Sequence, residues 1–275
     1  YLEGVVAQAK DIPSKRNGIL RLHFCVWTES DTSWLPRPLL DKVMFDFDPV
    51  AEYAGNARIK AAGLDLSGSK DLTAAAFVIE TGIKRVKKAD GTEADLPTYD
   101  AWIAAWTPGD TLDERGKVDH VPYRLWHETY YPDSEVRYLE APEGSRIRYD
   151  HVAAHLAKLD HQFGIDILAY DPYAYDDFAD ELDGYGIELN VVAHPQGGKK
   201  RAKPSEEKVE AAKAAGEPTP LGLWMPGSVA KLEELILEER IRIRKSPVIM
   251  TALMGVAIET DPLMTGYREL AARFG

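Results

Sequence analysis

Three aspartates stand out against their surroundings. Asp65 closes the strand-like run Ala61-Ala62-Gly63-Leu64 and precedes a small-residue turn, Ser67-Gly68-Ser69. Asp171 follows the apolar run at residues 165–170, and Asp261 lies in an otherwise apolar carboxyl-terminal stretch. A carboxylate at the end of a buried strand is costly unless it is paired or binds a cation. Several carboxylates brought together repel one another and take up protons more readily. Hard divalent cations such as Mg2+ or Mn2+ relieve that repulsion and prefer oxygen ligands. Two such ions about 3.5–4 Å apart can hold the attacking water and the leaving oxygen of a phosphodiester. The plainer reading of Asp65 taken alone is a solvated aspartate at the end of a hairpin. Asp71 and Asp177 are weaker acidic neighbours, and Glu259 is an alternative to Asp261.

The elements that must position these residues read as α/β. Side chains alternate along a strand, so Leu64 and Leu66 point one way and Asp65 the other. Residues 59–66 and 73–80 form a hairpin, residues 81–97 a polar connection with a turn at Asp90-Gly91, and residues 99–107 a third strand. Residues 123–131 are aromatic and partly strand-like. Val152, Leu156, Leu159 and Phe163 share one face of a helix over 149–163, which Gly164 ends. Residues 165–170 suit a central parallel strand. A helix over 175–182 and a strand over 187–193 complete a crossover pattern. Asp171 then falls at the carboxyl end of a strand, where open α/β sheets place ligands. His194 follows the neighbouring strand, which leaves a role near the site open to it.

Residues 1–58 read as a lead-in that packs on a core formed by residues 59–275. Within that core a flexible insertion or weak surface helix is expected near 197–224. Lys199, Lys200 and Arg201 open the insertion and are candidates for phosphate contact, the plainer reading being a solvated loop. Arg240, Arg242, Arg244 and Lys245 alternate with isoleucines, so one face of a short strand is basic. Arg242 and Arg244 are then either weak DNA contacts or charges that protect a solvated edge strand. An amphipathic helix over 229–237 precedes that strand.

With 275 residues, 45% of them hydrophobic, the chain can bury a core, and global disorder is excluded. No apolar run approaches a membrane span. The single cysteine, Cys25, excludes an intrachain disulfide and a cysteine-based zinc site. A net charge of −12 argues against a generally basic nucleic-acid coat, but leaves room for local basic patches. Neither a G-x-x-x-x-G-K-[ST] phosphate loop nor a G-x-S-x-G elbow is present, and the histidines lack metal-ligand spacing.

Gly63-Leu64-Asp65-Leu66-Ser67 with Asp71-Leu72-Thr73-Ala74 resembles the start of the nuclease domain of tailed-phage large terminase subunits. The resemblance extends upstream to Trp27-Thr28-Glu29-Ser30 and Trp34-Leu35. Downstream it takes in Pro122-Tyr123-Arg124-Leu125-Trp126, Ala169-Tyr170-Asp171-Pro172-Tyr173, His194-Pro195-Gln196-Gly197, residues 225–237 and Ser246-Pro247-Val248. It implies a ribonuclease H-like mixed sheet flanked by helices, and a Mg2+- or Mn2+-dependent endonuclease that cuts concatemeric double-stranded DNA with two ions. It makes Asp65, Asp171 and Asp261 the catalytic metal ligands. It also implies an ATPase domain of the same polypeptide outside this chain, a small terminase subunit and a portal as partners, and the host cytoplasm as location. The chain departs from the pattern at its end. The polar stretch that usually precedes the last aspartate is short or missing near 259–261, and Asp261 with Pro262 at the first helical position is expected to open a helix. A RuvC-type junction resolvase, and a non-catalytic module docking on portal or procapsid, are the alternatives.

Overall fold

The structure, a computed structural model, describes residues 34–68, 71–87, 91–172, 175–196, 206–215, 223, 225–260 and 268–272. Its centre is the pair of strands that flank the first aspartate. Strand β2 (Ile59–Asp65) buries Ile59, Ala62, Leu64 and Leu66 just beyond it, and leaves Asp65 exposed. Alternation along the strand separates them, as the sequence predicts. Strand β3 (Thr73–Lys87) pairs antiparallel with β2, placing Asp65 opposite Ala74.

The polar segment after β3 is not a loop. β3 continues to Lys87, and β4 (Glu93–Trp106) runs beside it along its whole length, Lys87 opposite Glu93 and Thr73 opposite Trp106. Beyond Thr81 this two-stranded ribbon is held by cross-strand polar pairs in place of an apolar face. Arg85 makes two hydrogen bonds to Asp95, at 2.8 and 3.0 Å, and the Thr81 and Thr98 hydroxyls meet at 3.1 Å.

Before β2 lie α1 (Arg37–Val43), β1 (Met44–Phe45) and α2 (Pro49–Tyr53); Asp48 caps α2 by accepting from the Val50 and Ala51 N–H groups. After β4 come α3 (Leu112–Val118) and α4 (Tyr123–Glu128). Helix α4 corrects the strand-like reading of residues 123–131: Tyr123 and Trp126, three apart, both turn inward, a spacing that only a helix puts on one face. Helix α5 (Tyr149–Phe163) ends at Gly164, whose φ of 69° is left-handed and whose missing side chain leaves room for the Arg58 guanidinium. Then follow β5 (Leu168–Tyr170), α6 (Tyr175–Gly184), β6 (Val191–Ala193), α7 (Glu206–Ala215) and α8 (Met225–Leu237). The last elements are β7 (Ile241–Arg244), α9 (Pro247–Met254) and a hairpin of β8 (Val256–Thr260) with β9 (Arg268–Ala272). Helix α7 sits inside the expected insertion.

Among the described residues seven strands form one mixed sheet in the order β1-β7-β4-β3-β2-β5-β6. Only β3 runs against the others. The carboxyl ends of the other six therefore line one edge. β4 alternates between the two faces: Trp102 and Trp106 join the core beneath α5 and α6, while Tyr99 and Ala101 face the core built from α1, α8, β7 and Met250. Strand β7 is interior, between β1 and β4, which corrects its reading as a solvated edge.

His155 of α5 packs against Phe77 and Trp106, its ring centroid 5.9 and 5.3 Å from theirs. Burial, aided by the charge of Lys158, pushes its pKa down to about 4. The unfolded chain takes up that proton near pH 6.5, the folded chain only near pH 4. The neutral ring thus carries no penalty above pH 6.5, and stability falls as pH drops from 6.5 towards 4, by up to about 3 kcal/mol. Urea unfolding at pH 7 and pH 4.5 should show this loss, and His155→Phe should remove most of it.

Candidate metal centre

The site is built on the shared carboxyl edge. Asp65 ends β2. Strand β5 lies parallel beside it with Leu64 opposite Tyr170, so Asp171 comes next to Asp65, and its N–H donates to the Leu64 carbonyl at 3.2 Å. β6 lies parallel beside β5 with Tyr170 opposite Ala193, and the His194 N–H donates to the Tyr170 carbonyl at 2.7 Å. Asp65, Asp171 and His194 thus stand at the ends of three adjacent parallel strands; the sequence predicts the strand-end placement of the two aspartates, and the structure adds that their strands are neighbours.

Local bonds fix the turn beyond Asp65. The fully buried Thr73 hydroxyl accepts from the Ser67 N–H at 2.9 Å and donates to the Ser67 carbonyl at 3.0 Å. The Ser67 hydroxyl accepts from the Asp71 N–H at 3.2 Å, and the Gly68 carbonyl accepts from the Ile147 N–H. These bonds cinch the chain between β2 and β3 and bring Asp71 back towards Asp65.

The electrostatics match a cation site. The Asp65 carboxylate stays reachable by solvent but sits low among protein atoms. That partial burial raises its pKa first, then the charge of Asp171, then that of Asp71. Among the described residues no ion pair to Asp65 forms. Asp171 Oδ2 accepts from the Gln196 backbone N–H at 3.3 Å. A pair of hard oxygen donors under mutual repulsion fits a divalent cation. Asp177 lies exposed in the first turn of α6. Among the described residues no group of three or more acidic or histidine side chains is placed to hold a metal. Asp261, the expected third ligand, and the expected helix at its position lie outside the described residues, as do Lys199, Lys200 and Arg201. Of Glu259 the structure describes the backbone, in β8 opposite Glu269.

Arg242 and Arg244 have internal partners. Arg242 donates to Asp100, to Glu52 at 2.6 Å and to the Tyr53 hydroxyl at 2.9 Å, with its guanidinium 4.4 Å from the centre of the Phe47 ring. Arg244 is buried, 3.8 Å from the centre of the Tyr131 ring, with Asp48 at 3.4 Å. Among the described residues Arg240 is the largest fully buried side chain, and it bonds to Glu238 and the Pro97 carbonyl. Phosphate contact by Arg242 or Arg244 would have to compete with those partners; the alternation with isoleucines reflects an interior strand.

Two participants escaped the sequence reading. Gln196 acts through its backbone, which no residue type advertises. Ser228 of α8 meets the His194 ring, Oγ to Nε2 2.8 Å, a contact between residues 34 apart.

A model of the family described as "Terminase large subunit, endonuclease domain" matches residues 2–213. The large terminase subunit of Enterobacteria phage HK97 is 29% identical over 202 residues, covering 73% of this chain and 31% of that protein. The crystal structure of the HK97 bacteriophage large terminase superposes with a TM-score of 0.60 at 23% identity, over 99% of this chain and 47% of that one. This chain therefore spans about a third of the curated relative and about half of the solved chain.

Proposed function

The chain belongs to the terminase large subunit endonuclease domain family, with a ribonuclease H-like fold, and we propose that it cuts double-stranded DNA by metal-dependent phosphodiester hydrolysis. The observation that carries the reading is the pair Asp65 and Asp171 on adjacent parallel strand ends, with the Asp65 pKa raised by partial burial first and then by its acidic neighbours. In this proposal Asp65 and Asp171 hold two Mg2+ or Mn2+ ions, with Asp261 as third ligand. Bound there, the ions supply Lewis acidity towards the scissile phosphate and a water. The protein's own share is orientation. Thr73 and Ser67 fix the turn behind Asp65, and the Gln196 N–H fixes Asp171. Lys199, Lys200, Arg201 and the exposed Lys245 are the proposed phosphate contacts.

The wider proposal is a role in viral genome packaging, on concatemeric DNA in the host cytoplasm. An ATPase domain of the same polypeptide, the small terminase subunit and the portal would be its partners. Among the described residues no helix is long and apolar enough to cross a membrane. Incubating the chain with supercoiled plasmid tests the activity. Nicked and linear products are expected with Mn2+ or Mg2+, and none with EDTA. No cleavage at any concentration of either ion would overturn the reading and favour a docking module; strong preference for four-way junctions would favour a resolvase.

A further inference from the structure

The turn after β6 does more than end a strand. Its first residue, His194, is bonded twice: its N–H to the Tyr170 carbonyl at 2.7 Å, and its ring to Ser228 Oγ at 2.8 Å. Its third residue, Gln196, donates its N–H to Asp171 Oδ2 at 3.3 Å. Between them Pro195 has a fixed φ and no N–H to offer elsewhere. The turn is thus tied to β5 at its start, to Asp171 at its end, and to α8 through the imidazole. The Ser228 tie is long-range, because α8 packs on the opposite core through Val229 and Ile236.

We propose that His194, anchored by Ser228, is a positioning residue for Asp171; the proposal rests on the reading of Asp171 as a metal ligand. The imidazole touches neither metal nor substrate in this role. It holds the 194–196 turn against α8, so that the Gln196 N–H stays on Asp171 Oδ2 and restricts rotation of the carboxylate. A ligand oriented by such an outer hydrogen bond loses about 10- to 100-fold in metal affinity when the outer contact is removed. Without the anchor the turn has one tie fewer and the carboxylate samples orientations that do not bind.

The test uses the whole chain and Mn2+ alone as probe, read by the Mn2+ dependence of the thermal midpoint and, separately, by plasmid cleavage at limiting and saturating Mn2+. His194→Ala and Ser228→Ala should each raise half-saturating Mn2+ about 10- to 100-fold, with cleavage recovering at saturation. The double variant should be no worse than either single one, because both remove one contact. His194→Gln, which keeps a donor near the Nε2 position, should lie close to the parent. Ser228 is exposed, so Ser228→Ala keeps the test open if His194→Ala fails to fold. A parental Mn2+ curve in Ser228→Ala would overturn the proposal. So would additive losses in the double variant, or cleavage lost at saturating Mn2+ with the binding curve unchanged. A parent chain whose midpoint ignores Mn2+ and which cuts no plasmid would instead sink the nuclease reading itself, and this proposal with it.

Discussion

Asp65→Asn should reduce plasmid cleavage by about a thousandfold or more while leaving the fold intact. The charge that Asp65 contributes matters most as the reaction develops charge, and stabilisation there amounts to several kcal/mol, with about 1.4 kcal/mol per tenfold. Folding should not suffer. The ionised Asp65 is disfavoured by burial, by Asp171 and by Asp71, so a neutral isostere relieves repulsion. In metal-free buffer the variant should melt at or above the parent. In Mn2+ the parent should gain stability by mass action and Asp65→Asn should gain much less. Parental cleavage rates in Asp65→Asn would remove the residue from the site.

Arg242→Ala should act in the opposite sense, on stability and not on chemistry. Asp100 lies opposite Arg242 on the neighbouring strand and is only 3% exposed. Its Oδ2 accepts from Arg242 Nε at 2.9 Å and from the Tyr53 hydroxyl at 2.5 Å. Burial and the Asp100 contact push the Tyr53 pKa up to about 12, so the phenol stays a donor throughout the ordinary pH range. Removing the guanidinium strands a buried carboxylate with Tyr53 as its remaining side-chain donor, which costs about 3–5 kcal/mol; the part of Arg242 that faces solvent places the expectation near the lower end. Denaturant unfolding measures it. Replacing both partners by apolar residues, Asp100→Leu with Arg242→Met, should cost less than Arg242→Ala alone. A normal midpoint with weakened DNA binding in Arg242→Ala would favour the phosphate-contact reading instead.

The contrast between these residues shows what the sequence made legible. The strand-end positions of Asp65 and Asp171 were legible because their signals are local: each ends an apolar run, and strand alternation sets the side-chain direction within a few residues. The helix over 149–163 was legible for the same reason. The internal partners of Arg242 and Arg244 were not legible because they lie far along the chain, at Asp100, Glu52 and Asp48. A basic-apolar alternation looks the same on an open edge and on an interior strand with buried acids waiting for it. The ribbon beyond Thr81 was misread because polar cross-strand pairs leave no hydrophobic period. At residues 123–128 aromatic content suggested strand, but packing of Tyr123 and Trp126 decided for helix.

The strand order also governs how the sheet can be completed as the chain is synthesised. β2, β3 and β4 are neighbours both in sequence and in space, so their ladder can form early. The far side of β4 is bridged at its carboxyl end by Glu140, but residues 99–101 have to wait for β7, whose Ile241 pairs with Tyr99, and β1 waits for the same strand, Met44 pairing with Ile243. At about 5–20 residues per second, the interval between the end of β4 and the arrival of β7 is on the order of ten seconds. Throughout it residues 99–101 of β4 offer unpaired backbone groups to any other strand nearby. A nascent or truncated chain that stops short of residue 241 therefore carries the two acidic strand ends of the site already side by side, on a sheet whose other half is still open to capture by a second chain.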